Sequence, residues 1–127
     1  DGGYDLEYKG KRYDVKTMTR SVDIKDYYTN NFLKTQEDYN VDGYIFCSIN
    51  TNKKELTVCG WIKKEDMIKK AKLYKKDEIR TRDDGTTFPM KADTYEIDNE
   101  HLNFVNSILD MKMQMISRWE NKWNLDI

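Results

Sequence analysis

Tyr4-Asp5-Leu6-Glu7-Tyr8-Lys9-Gly10-Lys11-Arg12-Tyr13-Asp14-Val15-Lys16-Thr17 is the stretch on which the reading of the fold turns. Apolar and charged residues alternate on both sides of Gly10-Lys11, and glycine at the first central position suits a type II′ turn, so the spacing predicts a β-hairpin. With that turn Lys9 faces Arg12, Glu7 faces Asp14 and Asp5 faces Lys16. The two-residue period of a strand then places Asp5, Glu7, Asp14 and Lys16 on one face. Tyr4, Leu6, Tyr8, Tyr13, Val15 and Thr17 fall on the other, which is apolar enough to pack against a core. Two readings fit the polar face. It is the wet side of an amphipathic hairpin, where an Asp5–Lys16 pair contributes no more than about 1 kcal/mol. Or its carboxylates, which repel and raise one another's pKa, hold a hard cation such as Mg²⁺.

Working outward, Gly43 to Ile49 and Leu56 to Ile62 are rich in β-branched and aromatic residues around the polar loop Asn50 to Glu55, which predicts a second, more buried hairpin. Lys64 to Leu73 spaces Met67, Ile68 and Ala71 helically behind Glu65-Asp66, carboxylates that suit a helix N-terminus. Glu100 to about Trp119 sets Leu102, Val105, Leu109, Ile116 and Trp119 on one face of the longest expected helix. Met111, Met113 and Met115 read as core filler there, and an exposed Trp123 would serve a dimer or partner surface. Tyr74 to Asp93 reads as a long loop with short strands near Thr87 and Tyr95. Between Ser21 and Tyr39 the pattern weakens, with Phe32 to Tyr39 a short helix or an irregular connection.

The motifs on the first hairpin resemble the core of the PD-(D/E)xK nuclease superfamily, the restriction-endonuclease-like fold. There an Asp opens one strand of a hairpin and an acid-x-Lys triplet follows on the next, as Asp5 and Asp14-Val15-Lys16-Thr17 do here. Gly60-Trp61-Ile62 leading into Glu65-Asp66-Met67 is similar to small members at lower specificity. The resemblance covers about the first 70 residues. It implies an α/β fold with a central mixed sheet of four to five strands flanked by the two helices, as one domain over residues 1–127. It makes Asp5 and Asp14 metal ligands with the Val15 carbonyl, and Lys16 the residue that positions water and stabilises charge on phosphorus. Glu7 is an accessory candidate. So is Gln36, since some members carry a Gln-x-x-x-Tyr motif, although Tyr39 follows by three residues instead of four. A further Glu on a helix upstream of Asp1 is also implied. The cofactor expected is Mg²⁺, with Mn²⁺ as a substitute, and the activity is a DNA endonuclease. RNA would be served by the same chemistry, and the alternative is an inactive nuclease-fold module that binds nucleic acid or a protein.

Composition narrows the remaining classes. The chain has 127 residues, 22 Lys plus Arg against 23 Asp plus Glu and a net charge of −1, so it is no histone-like, globally basic protein. Mean hydropathy is −0.94, and the 13% aromatic content supplies the buried area that so polar a chain otherwise lacks. A single His101, read as a capping residue at a helix start, leaves His-based metal sites and Ser-His or Cys-His catalysis little to work with. Cys47 and Cys59 lack metal-ligand spacing and read as buried reduced thiols on the second hairpin. No stretch reaches the roughly 20 apolar residues of a membrane span, so a cytoplasmic protein without membrane partners is expected, as a homodimer or as a domain of a larger protein. Positive charge is local: residues 63–82 carry net +5 through Lys63, Lys64, Lys69, Lys70, Lys72, Lys75, Lys76, Arg80 and Arg82. These are the candidates for gripping a phosphate backbone, with Tyr74 and Phe88 available to stack on bases.

Overall fold

The computed structural model describes residues 4–103 and 122–124. Strand β1 (Leu6–Tyr8) turns into β2 (Lys11–Arg20) with Leu6 opposite Tyr13, Glu7 opposite Arg12 and Tyr8 opposite Lys11. The turn is therefore Lys9-Gly10, one residue earlier than the sequence suggested. Lys9 (φ 51°) and Gly10 (φ 78°) both occupy the left-handed region, as a type I′ turn requires. That turn follows the right-handed twist of the strands, a gain that outweighs the roughly 1 kcal/mol cost of lysine in the left-handed region. Pairing shifts by two in total, so the paired residues keep their predicted faces while their opposite neighbours change. Asp5, in the bend just ahead of β1, then lies beside Asp14, and Glu7 faces Arg12 instead of Asp14.

After β2 come β3 (Thr29–Leu33) and a 3-10 turn at Lys34–Asp38. Strand β4 (Gly43–Asn50) runs parallel to β2, pairing Asp14 with Tyr44 and Lys16 with Phe46, and antiparallel to β5 (Glu55–Lys63). Helix α1 (Lys64–Lys70), β6 (Lys72–Tyr74), β7 (Ile79–Thr81), β8 (Thr87–Pro89), β9 (Thr94–Asp98) and β10 (Lys122–Asn124) follow. The main sheet has the order β1-β2-β4-β5-β10, four strands forming its body and the short β10 extending its edge. A second sheet, β3-β9-β6, and a separate β7-β8 hairpin complete the described strands. The architecture is thus α/β with a mixed sheet, as expected, but much richer in strand than in helix.

Apolar packing uses both faces of β4, which explains its nearly unbroken apolar run. Tyr44, Phe46, Ile62 and Met67 are fully buried and cluster with Phe32, Val41, Tyr95 and Ile97 from the second sheet and its approaches. Tyr13, Ile45, Cys47 and Val58 form a second cluster on the reverse face, with Leu6, Tyr8 and Val15 against it. Tyr4, ahead of β1, packs with the first cluster and so lies on the side of Asp14, contrary to its predicted face. Helix α1 has Glu65 and Asp66 in its first turn and Lys69 and Lys70 in its last, both complementary to the backbone dipole. It stops short of the predicted Leu73 because Lys72–Tyr74 is taken into the second sheet opposite β9.

The predicted loop from Tyr74 to Asp93 is mostly the β7-β8 hairpin, and the expected short strands near Thr87 and Tyr95 are β8 and β9. Of the long predicted helix, Asn99–His101 is a 3-10 turn in which Asp98 accepts from the His101 N–H at 3.2 Å. Residues 104–121, with Met111, Met113, Met115 and Trp119, lie outside the described residues, as does the side chain of Trp123. A register shift between Phe46 and Cys47 puts Val58 opposite Cys47 and Gly60 opposite Phe46, so Cys59 is the extra residue of a bulge. Both thiols are free, and burial pushes Cys47 up to about 11 and Cys59 up to about 12.

Candidate active site

The hairpin turn decides which acids meet. Asp5, where β1 begins, donates its N–H to the Tyr13 carbonyl at 2.9 Å, and its Oδ2 accepts the Val15 N–H at 2.9 Å. Held this way, its carboxyl lies close enough to that of Asp14 for each to shift the other's pKa. The two acids diverge in response. Asp5 lies below the ordinary carboxylate range, chiefly because it accepts from Asp14 and then from the Val15 N–H. Asp14, only 5% exposed, lies above it, chiefly through burial and then through Asp5. Two neighbouring carboxyls, one exposed and one buried, split in this way. An extended residue turns its N–H and C=O to the same side, so the Val15 carbonyl faces the side of Asp5.

Lys16 completes the group. Its Nζ is 2.8 Å from Asp14 Oδ2 and donates to Gln36 Oε1. The ring centroids of Phe32 and Tyr39 lie 5.8 and 6.0 Å from the same ammonium. The Gln36–Tyr39 spacing, one residue short for an α-helix, fits the local backbone: in a 3-10 turn residues three apart stand over one another. The Tyr39 N–H closes this turn on the Gln36 carbonyl at 3.1 Å. Behind it Glu37 accepts from Lys34 at 2.5 Å and from the Tyr95 hydroxyl at 3.0 Å, which tie the turn to the second sheet. Tyr44, opposite Asp14 on β4, is wholly buried, and burial with the Asp14 charge beside it pushes its phenol up to about 12.

Asp5, Asp14, Val15, Lys16 and Gln36 therefore come together. Glu7 does not join them: it is exposed opposite Arg12, and among the described residues no group of three or more His, Cys, Asp or Glu is placed to hold a metal. Any cation would rest on the oxygens of Asp5 and Asp14 and the Val15 carbonyl, with water completing its shell. That hard-oxygen set suits Mg²⁺, which keeps several waters. Phe32, Tyr39 and Tyr44, which enclose Lys16 and Asp14, were read from the sequence as core or connection. Their only signals were the Gln36–Tyr39 spacing and the pairing of the strand that starts at Gly43.

The basic segment divides. Lys69 and Lys70 are exposed at the end of α1, Lys63 precedes it, and Lys64 donates to the Tyr39 carbonyl at 2.9 Å, next to the site. Lys72 lies 4.7 Å over the Tyr74 ring. Lys75 is 3.9 Å from Asp93, and the Lys76 N–H donates to Asp93 at 2.7 Å. Arg80 pairs with Glu96 at 3.2 Å and lies 3.5 Å over Tyr74, while Arg82 lies 4.3 Å over Phe88. Tyr74 is buried, so it anchors this region and is closed to bases. Among the described residues no helix is long and apolar enough to cross a membrane. Comparison with family models, curated proteins and solved structures gave no match.

Proposed function

We propose that this chain is a metal-dependent nuclease with a restriction-endonuclease-like core, hydrolysing phosphodiester bonds in DNA as an endonuclease. The observation that carries the reading is the contact between the Asp5 and Asp14 carboxyls beside Val15 and Lys16 on a single strand. Asp5 and Asp14 would hold Mg²⁺ with the Val15 carbonyl, and Mn²⁺ suits the same oxygens. Such an ion neutralises phosphoryl charge and lowers the pKa of bound water. The protein's own part is electrostatic and positional. Lys16 lies beside Asp14, where its ammonium orients water and stabilises the charge that develops on phosphorus. Gln36 holds the Lys16 ammonium in place, and the aromatic rings of Phe32 and Tyr39 limit its wandering. Lys63, Lys64, Lys69, Lys70 and Lys72 provide backbone contacts; Arg80, already paired, contributes less than its charge suggests.

The test is cleavage of supercoiled plasmid with and without Mg²⁺. The wild-type chain should nick or linearise it only with the metal, and Asp14→Ala and Lys16→Ala should be inactive while remaining folded. Cleavage that survives in purified Asp14→Ala places the chemistry elsewhere. Binding without any metal-dependent cleavage by the wild type replaces the enzyme with a nucleic-acid-binding module.

A further inference from the structure

Two tyrosines stand in water on the side of the molecule that carries Lys16. Tyr39 is 39% exposed and flanks the Lys16 ammonium, whereas Tyr27 is 65% exposed on the segment between β2 and β3. Tyr27 meets Tyr28 edge-on at 5.2 Å, with Lys25 Nζ 5.8 Å from its ring, and the Arg20 guanidinium lies 4.5 Å over Tyr28. Arg20 is four residues beyond Lys16 on β2, so both point to the same face about 13 Å apart.

The turn that carries Tyr27 is anchored. The Tyr28 N–H donates to Lys25 at 3.0 Å, the Asn99 N–H to Tyr28 at 2.9 Å and the Glu100 N–H to Asp26 at 3.0 Å, and the Asn99 side chain donates to the Lys25 carbonyl at 3.0 Å. Arg20 is fixed as well, by the Thr29 carbonyl at 2.7 Å. Of the nearby acids Asp23 is paired with Lys53 at 2.7 Å and Asp98 lies 2.5 Å from His101 Nδ1, which leaves Asp26 and Glu100 as the local counter-charges. A ring that is 65% exposed on an anchored turn, with Lys25 beside it and Arg20 over its neighbour Tyr28, buries little area in packing, whereas aromatic faces near positive charge are what stacked bases and their phosphates require.

We infer that this strip, from Tyr39 past Lys16 and Arg20 to Tyr27, is a track for single-stranded nucleic acid, with bases stacked on the two exposed rings. The inference rests on the nuclease reading and specifies the form of its substrate. A duplex hides its base faces, so the rings distinguish the two forms.

Fluorescence anisotropy with a labelled oligonucleotide in EDTA tests it, single strand against duplex of the same sequence, with an RNA single strand as a third arm. Tyr27→Ala should weaken single-strand binding about tenfold and leave duplex binding within about twofold, and Tyr27→Phe should keep wild-type affinity. The DNA and RNA arms should fall alike if stacking alone is read. Equal weakening of single strand and duplex, no change in either, or no binding of single strands by the wild type overturns the inference. Plasmid cleavage separates the two proposals. An active enzyme whose Tyr27→Ala variant binds single strands normally refutes the track alone, and a Tyr27-dependent binder that never cleaves refutes the catalytic reading alone.

Discussion

Magnesium should stabilise the folded chain through Asp5 and Asp14, and Asp14→Asn should remove that effect. Without metal, Asp14 is a nearly buried carboxyl in contact with another, offset by the Lys16 ammonium at 2.8 Å. Replacing it with the isosteric amide relieves the burial and the repulsion but takes a partner from Lys16, which retains Gln36. Stability should stay within about 1 kcal/mol of wild type, on the stabilising side. With Mg²⁺ at a hundredfold excess over its Kd, the wild type should gain about 2.7 kcal/mol. For a chain of this size that is a rise of roughly 10 °C in Tm. The assay is thermal unfolding followed by circular dichroism in MgCl₂, against NaCl of equal ionic strength, because screening alone would also ease the repulsion. The pH dependence has a definite sign. Asp14 is raised in the fold, so its contribution is present at low pH and lost as pH rises through its folded pKa. Asp5 is lowered, and its contribution is lost as pH falls through its folded pKa. The Mg²⁺ gain should therefore shrink on acidification, as the proton on Asp14 competes with the metal. Equal MgCl₂ and NaCl effects in the wild type, or an undiminished Mg²⁺ shift in Asp14→Asn, would refute the site.

Lys16→Met should cost about 1–3 kcal/mol at neutral pH by leaving the Asp14 charge unpaired, with the loss fading in acid as Asp14 takes up a proton; urea unfolding at several pH values measures both. Gly60→Ala should cost at least about 2 kcal/mol. Its new Cβ would sit 2.5 Å from the Asn103 carbonyl oxygen and 2.7 Å from Leu102 Cβ at a φ of +153°, and urea unfolding of this variant reads the loss directly. Neutralising Lys69, Lys70 and Lys72 together should make the dependence of log affinity for duplex DNA on log salt shallower by up to roughly 2 to 3, equally for unrelated sequences. An unchanged slope in a binding series across salt would reduce those lysines to a solvated helix end.

What could be read from the sequence was whatever period-two alternation controls. Both hairpins were legible because β-branched and aromatic residues cluster around short polar turns, and β4 and β5 begin and end within about a residue of the expected limits. Of the second sheet, β9 near Tyr95 was legible and β3 and β6 were not. Thr29–Leu33 carries two asparagines, and one of them, Asn30, is buried because its side chain donates to the Ile97 carbonyl at 3.3 Å and to Asn99 at 2.8 Å. A polar residue satisfied by a partner about seventy positions away looks in sequence like a loop. Lys72 and Leu73 read as helix for a related reason: their local pattern continues α1, and only pairing with β9 makes them part of a strand.

The site shows why a misplaced turn left the chemistry readable. Side-chain faces depend on the parity of the paired positions, and a type I′ turn at Lys9-Gly10 changes their sum by two relative to a type II′ turn at Gly10-Lys11. Parity survives, so Glu7, Asp14 and Lys16 share a face under either turn, and Asp5 reaches Asp14 from the bend before β1. Neighbourhood does not survive, and the proposed chemistry depends on neighbourhood. In the predicted register Asp5 would be neutralised across the strands by Lys16, and Glu7 would be the acid facing Asp14. In the observed one, Asp5 lies beside Asp14, Glu7 faces Arg12, and Lys16 reaches Asp14 next to it and Gln36 on the 3-10 turn. Two acids pressed together, with one partly buried, are unfavourable for the hairpin alone, and a sequence selected only for a stable solvated face would place a cation between them. The left-handed Lys9 that maintains this register adds a further small cost to the same arrangement. Moving the turn back by substituting Gly10-Lys11 with residues that require type II′ geometry should therefore leave the hairpin folded while separating the two carboxyls, and Mg²⁺ should then no longer raise its Tm.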